Sequence, residues 1–260
     1  MREWRLWAAA AAAPAVAAGF SLLARLRRRR SLHPTGAGYH AWFEVDDGRP
    51  AVPLFRSGAA QPALLRFSRG AGLPEPLPDA LGVAVKLPDA HGPGADQDLL
   101  VTRSIDRPLL RRLLFPATSY VRGACSSALR YQLGDQRVVL LLVPVLPDGR
   151  RLPNRIGRRR GGALAELDAA TAAGLQFQLR TAGSLGPSQP LATLTTGPPL
   201  STQQTEQLRF NPWTTGPGIR PIGWLNLLRD TAYRASQRGR PPSAGQPPDA
   251  LSSTSPVHGR

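Results

Sequence analysis

From His40 to Thr196 the apolar residues fall mostly at every second position. AWFEV (41–45), PALLRFS (62–68) and GVAVKL (82–87) alternate cleanly, and DLLVTRS (98–104) more loosely. Period two is the mark of a strand with one face buried. LQFQLRT (175–181) and PLATLTT (190–196) repeat the pattern. YQLGDQRVVLLLVPVL (131–146) predicts a hairpin turning at Gly134–Asp135. Its second strand, Val138 to Leu146, is apolar throughout and should be buried on both faces. About eight strands bounded by Gly and Pro suit a barrel. Three stretches have helical composition: LLRRLLF (109–115), ALAELDAATAAG (163–174), stopped by Gly174, and Trp224 to Arg238.

The ends differ from this middle. Residues 6–24, LWAAAAAAPAVAAGFSLLA, carry no charge and are followed by RLRRRR. That length approaches the ~20 residues of a bilayer span. Two readings stay open for residues 1–29: a helical arm on a soluble protein, or a membrane anchor. As an anchor, the basic cluster on its C-terminal side places the following domain in the cytoplasm, at the cytoplasmic face of the membrane. Residues 241–260 are rich in Pro and Ser and predict a disordered tail.

The net charge is +16, which invites a nucleic-acid reading. Lys86 is the only lysine, however, and the arginines are spread along a chain also rich in Ala, Gly and Pro. That distribution argues for compositional bias and against a nucleic-acid partner. Cys125 is the only cysteine, which excludes an intrachain disulfide and a cysteine-based metal site. His33, His40, His91 and His258 show neither HxxxH nor HExxH spacing, which argues against zinc.

Two short stretches carry candidate chemistry. SLHPTGAG (31–38) sets His33 just before a Gly-containing turn, with Arg30 three residues earlier. LLRFSRGAG (64–72) places Arg66 and Ser68 two apart, on one face of a strand. An arginine on a barrel wall needs an anionic partner, and the nearby sequence offers none.

In order along the chain, these segments resemble the haem catalases. RSLHPTGAGYHAWFEV (30–45) is similar to the family's R-x-x-H-x-x-G-x-G followed by F-E-V. LLRFSRGAG is similar to its V-R-F-S-x-x-x-G, and LPDALGVAVKL (77–87) to its D-P-R-G-F-A-x-K-F. LRFNPWTTGPGIRPIGWLNLLRD (208–230) resembles the region that begins F-N-P. RDTAYRASQRGR (229–240) matches R-x-x-x-Y-x-x-[ST]-x-x-x-R at each defined position. The likeness covers residues 30–240 and is strongest to the small, truncated catalase-related peroxidases.

The resemblance implies an α+β fold: an antiparallel eight-stranded β-barrel of the catalase type with a C-terminal haem-ligand helix. It implies haem b as cofactor, a peroxide as substrate and a small electron donor as partner. By the same likeness Tyr233 is the proximal tyrosinate on the iron, with Arg229 lowering the cost of ionising the phenol and Arg240 in support. Arg30 and Arg66 resemble the propionate-binding arginines, His33 the distal base and Ser68 the serine that orients it. Phe115 falls where the family packs a phenylalanine near the haem. Two positions depart from the pattern. Thr102 stands where the family has its distal asparagine, and Pro78-Asp79-Ala80 loses an arginine. The first departure favours a peroxidase over an efficient dismutase, and it leaves open a catalytically inert catalase-like protein. Trp213 and Trp224 read as packing residues.

Overall fold

The structure is a computed structural model and describes residues 36–46, 52–56, 60–70, 72–75, 77–147, 162–183 and 185–222. Ten strands appear: β1 Gly36–Val45, β2 Ala60–Arg69, β3 Leu81–Leu87, β4 Gln97–Arg103, β5 Cys125–Ser126, β6 Tyr131–Leu133, β7 Gln136–Val145, β8 Gln176–Ala182, β9 Gln189–Pro199 and β10 Ile219–Pro221. Two α-helices are described, α1 Gly162–Ala172 and α2 Thr202–Gln207.

Eight strands close on themselves in the order β7-β5-β4-β3-β2-β1-β9-β8, and the β7–β8 pairing seals the ring. Every pairing in the ring is antiparallel. This is the expected eight-stranded barrel. Strands β6 and β10 extend the sheet outward from β7. The alternation explains which side chains fill the interior. On β3, Leu81, Val83, Val85 and Leu87 point inward and the residues between them point out. Tyr39, Phe67, Tyr120 and Phe177 meet inside as a group of edge-on and tilted rings, 5.2 to 5.7 Å between centroids. An eight-stranded barrel is just narrow enough for such side chains to fill it. Strand β7 is buried on both faces from Val138 to Val145, as its unbroken apolar run predicted.

Helix α1 packs against this interior through Ala163 and Leu167. Three polar contacts fasten it. The Glu75 carboxylate accepts from the Ala163 amide at 3.0 Å and sits at the positive end of the helix. Arg122 pairs with Glu166 at 2.8 Å, and the Tyr39 hydroxyl donates to the Asp168 carboxylate. Gly174, at φ +82°, ends the helix. Its amide donates to the Thr171 carbonyl while the Leu175 amide donates to Ala170, a glycine stop that other residues adopt only with strain.

The helix expected at Leu109–Phe115 is instead a single 3-10 turn, Leu110–Arg112. Pro108 and Pro116 confine the stretch, and Arg111 turns inward to donate to the carbonyls of Gly183 and Gly186 at 3.0 Å each. The buried guanidinium replaces a helical face as the reason for the segment's shape. The helical stretch 224–238, the N-terminal residues 6–24 and the tail 241–260 lie outside the described residues. Among the described residues no helix is long and apolar enough to cross a membrane.

Candidate functional site

The outer faces of β1 to β4 hold three of the residues singled out in the sequence. Antiparallel register puts opposing residues on the same side of a sheet. Gly36 opposes Ser68, Ser68 opposes Gly82, Gly82 opposes Thr102, and Thr102 opposes Ser126. One row along, Gly38 opposes Arg66, Arg66 opposes Ala84, and Ala84 opposes Leu100. Arg66, Ser68 and Thr102 therefore share one face, and all three are half-buried.

Between them the sheet carries almost no side chain. Gly82 and Ala84 form the middle of the patch. A methyl group built on Gly82 would lie 3.1 Å from the Ser68 hydroxyl, tighter than an ordinary contact. Glycine at this place leaves a flat floor between two hydroxyls about 10 Å apart, two strand spacings.

The floor has a rim. Leu200 and Thr205 cover Gly38, so α2 lies over β1 and closes that side. Ser201 caps α2: its side chain accepts from the Gln204 amide while the Gln204 side chain accepts from the Ser201 amide. The chain then passes from β1 to the ends of β3 and β4. There the Asn211 amide donates to Asp98 at 2.8 Å, and Lys86 sits 5.6 Å over the Phe210 ring. Lys86 and Asp98 belong to the row four residues from Gly82 and Thr102. That distance along a strand is about 13 Å. The result is a bay with a floor of backbone, Gly82 and Ala84, hydroxyls at one end, Arg66 on it, and α2 with residues 208–214 as its wall.

The electrostatics separate the two ends. Burial pulls the Lys86 ammonium toward deprotonation, but the hydrogen bonds and charges of Asp98 and Asp96 outweigh it and hold its pKa above the ordinary value. Lys86 is therefore a neutralised, fixed cation. Phe115, half-buried, hangs from the Thr102 end: its amide donates to the Arg103 carbonyl at 3.0 Å.

Behind the floor the barrel interior holds charge of its own. Arg69 donates to the carbonyls of Leu73 and Leu77 at 3.0 Å and lies 3.6 Å from Asp79. Arg103 is cross-strand to Cys125 and donates to the Ala124 carbonyl at 3.2 Å. Burial pushes the Cys125 thiol up to about 11, the nearby Arg103 opposing it, so the thiol stays protonated and unreactive at neutral pH. Asp79, in the stretch that departs from the catalase pattern, is a buried partner of Arg69 and not a site residue. Trp213 is half-buried in the rim segment. Among the described residues no group of three or more His, Cys, Asp or Glu is arranged to hold a metal.

His33, Arg30, Tyr233, Arg229 and Arg240 lie outside the described residues. Pattern reading did not assign the floor at Gly82 and Ala84 or the rim. One signal for the rim was present, the capping spacing Ser201-x-x-Gln204.

Two solved structures share this arrangement of strands. A fungal catalase crystal structure superposes with a TM-score of 0.57 and 15% identity over 83% of this chain and 61% of that one. Catalase A from Saccharomyces cerevisiae gives 0.59 and 15% over 83% of this chain and 62% of its own. The barrel has the catalase fold. The chain spans about three fifths of the length of these catalases. No protein-family model matches the sequence, and no curated protein does. At this identity the catalase likeness is one of fold, and the bay is the place on that fold where Arg66, Ser68 and Thr102 share one face.

Proposed function

We propose that this chain is a haem-dependent, catalase-related peroxidase acting on hydrogen peroxide or an organic hydroperoxide. The observation that carries the reading is the bay: a flat floor on a catalase-type barrel, with Arg66, Ser68 and Thr102 on one face of it. A planar, dianionic cofactor such as haem b suits a floor free of large side chains with a cation upon it.

In this reading Arg66 and Arg30 bind the haem propionates, and Phe115 packs near the ring. Tyr233 would hold the haem iron as a phenolate, its ionisation favoured by Arg229, with Arg240 in support. Haem b, when bound, supplies the iron at which a peroxide is split. His33 takes the proton from one peroxide oxygen and returns it to the leaving oxygen, a general acid–base transfer. Ser68 orients that imidazole. The register supports this pairing, because Gly36 lies opposite Ser68 and only three residues from His33, a reach of at most about 11 Å. Thr102 offers one hydroxyl to the peroxide where an amide would offer two donors and an acceptor. That difference favours donor oxidation over dismutation.

The same Thr102 supports a second reading, a haem-binding protein of the catalase fold without turnover. One experiment separates the readings. Apoprotein is titrated with haem b, and the Soret band is followed in wild type and Tyr233→Phe. Uptake lost in the variant, with peroxide-dependent donor oxidation lost in His33→Ala, supports the peroxidase. Uptake without oxidation supports the inert binder. Folded protein that takes up no haem overturns both. A cytoplasmic location, with residues 6–24 as arm or anchor, is proposed from the sequence alone.

A further inference from the structure

The bay is closed along one side by a short piece of chain, and the charges that hold this piece are few. Lys86 Nζ lies 2.8 Å from Asp98 Oδ1 and 3.0 Å from Asp96 Oδ2. The other Asp98 oxygen accepts from the Asn211 amide at 2.8 Å. The Asp98 amide donates to the Thr214 carbonyl at 2.9 Å, and the Gln97 side chain bonds both Thr214 and Gly216. Of the bonds that tie the rim to β4, the one at Asn211 is made to a buried carboxylate and so depends on that carboxylate's charge balance. Asp98 is only 1% exposed, and Lys86 is its cation.

We infer that Lys86, acting through Asp98 and Asp96, is a positioning residue that keeps the rim at residues 208–214 closed on the bay. The location of Lys86 gives the reason. It projects from the outer face of β3, opposite in direction to Val83, Val85 and Leu87 in the core. Removing its charge leaves the Asp98 carboxylate buried without a cation, a state that costs several kcal/mol unless water reaches it. The inner side next to this pair is filled by Val85, Leu87 and Leu99, each at most 1% exposed, which leaves no room for water from within. Two reliefs are open: the carboxyl takes up a proton, to which burial already inclines it, or residues 208–214 lift and admit water; unchanged exchange at Asn211 marks the first. Lifting breaks the Asn211 bond and withdraws Phe210, and it opens the bay along the wall that runs from α2 to β4. The Phe210 ring under the Lys86 ammonium strengthens the same tie, since the cation–ring attraction joins rim to floor. No other lysine exists in the chain to take its place.

The consequence for a bound cofactor rests on the haem reading above; the opening of the rim does not. The test therefore has two arms. In the first, amide hydrogen exchange is measured on the apoprotein for wild type, Lys86→Met, Lys86→Arg and Phe210→Ala. Lys86→Met and Phe210→Ala should each speed exchange at Asn211 by tenfold or more while Val83, Val85 and Leu87 keep their protection. Lys86→Arg should return the Asn211 rate toward wild type. In the second arm, haem-loaded protein is mixed with an excess of a haem-scavenging protein and the transfer rate is read from the Soret band. Lys86→Met should release haem tenfold or more faster, again with rescue by Lys86→Arg. Unchanged exchange at Asn211, or equal acceleration across β3, overturns the inference, as does fast exchange with unchanged haem release. A wild type that takes up no haem overturns the functional reading, and the exchange arm then decides the latch by itself.

Discussion

Ser68 and Thr102 face the same side of the barrel wall from strands separated by one other, and the residue between them in register is Gly82. Two hydroxyls flank a point where the sheet has no side chain. This relationship marks the candidate face more sharply than any single residue does. A larger side chain at Gly82 would fill the space between them without touching the core.

Gly82→Val should therefore lower haem affinity by tenfold or more while leaving the barrel folded. Valine is favoured in strands, so stability should stay within about 1 kcal/mol of wild type. A Soret titration beside a thermal melt checks both halves. Wild-type affinity in the variant would show that the floor is not where the cofactor lies.

Thr102→Asn should shift the reaction toward dismutation. The amide adds hydrogen-bonding capacity on the same outer face and at the same register. Oxygen evolution relative to donor oxidation should rise about tenfold, the effect of roughly one additional bond worth ~1.4 kcal/mol in the transition state. An oxygen electrode and a chromogenic donor give the ratio; no change would remove Thr102 from the substrate's surroundings.

Much of the barrel could be read from residue order because its strands obey period two. Leu81 to Leu87 alternates inside and outside without a break, and β7 is apolar throughout because it is covered on both sides. The elements that were not legible lack such a pattern. Strand β5 is two residues long, and β10 is three. At Leu109–Phe115 the apolar spacing misleads, since Arg111 is the buried residue and Leu109 is 67% exposed. For the candidate site, strand parity predicted one face for Arg66 and Ser68, and the register adds Thr102 to it. The rim could not be found in this way. Its contacts join Asp98 to Asn211 and Gly38 to Thr205, pairs far apart in sequence with no periodic relation.

Alkaline conditions should weaken the fold in a defined window. Burial raises the pKa of Cys125 from 9.0 to about 11. Burial also raises the pKa of Tyr39, helped by its bond to Asp168, and that of Tyr120. Each group holds its proton more tightly when folded, so the unfolded chain loses these protons first as pH rises. The stabilisation is complete below about pH 9 and is lost upward, at about 1.4 kcal/mol per pH unit for each proton. Urea midpoints measured from pH 7 to 11 should fall on the alkaline side. Cys125→Ala should delay the onset toward the tyrosine range; an unchanged onset would contradict the assignment.

Arg69→Met should destabilise the barrel by about 3 kcal/mol, because it removes a buried guanidinium that pairs with both Glu75 and Asp79. Equilibrium unfolding in urea reads this directly. A loss under about 1 kcal/mol would mean that the amides of Leu73 and Ala80, which also bond Asp79, suffice on their own.

The fixed ammonium of Lys86 has a chemical consequence as well. Acylating reagents attack neutral, reachable amines, and this one is protonated between two carboxylates and over an aromatic ring. In a chain with a single lysine, acylation at that position becomes a covalent record of how often the wall beside it opens. The protein carries its own reporter group, readable as a mass increment on one peptide.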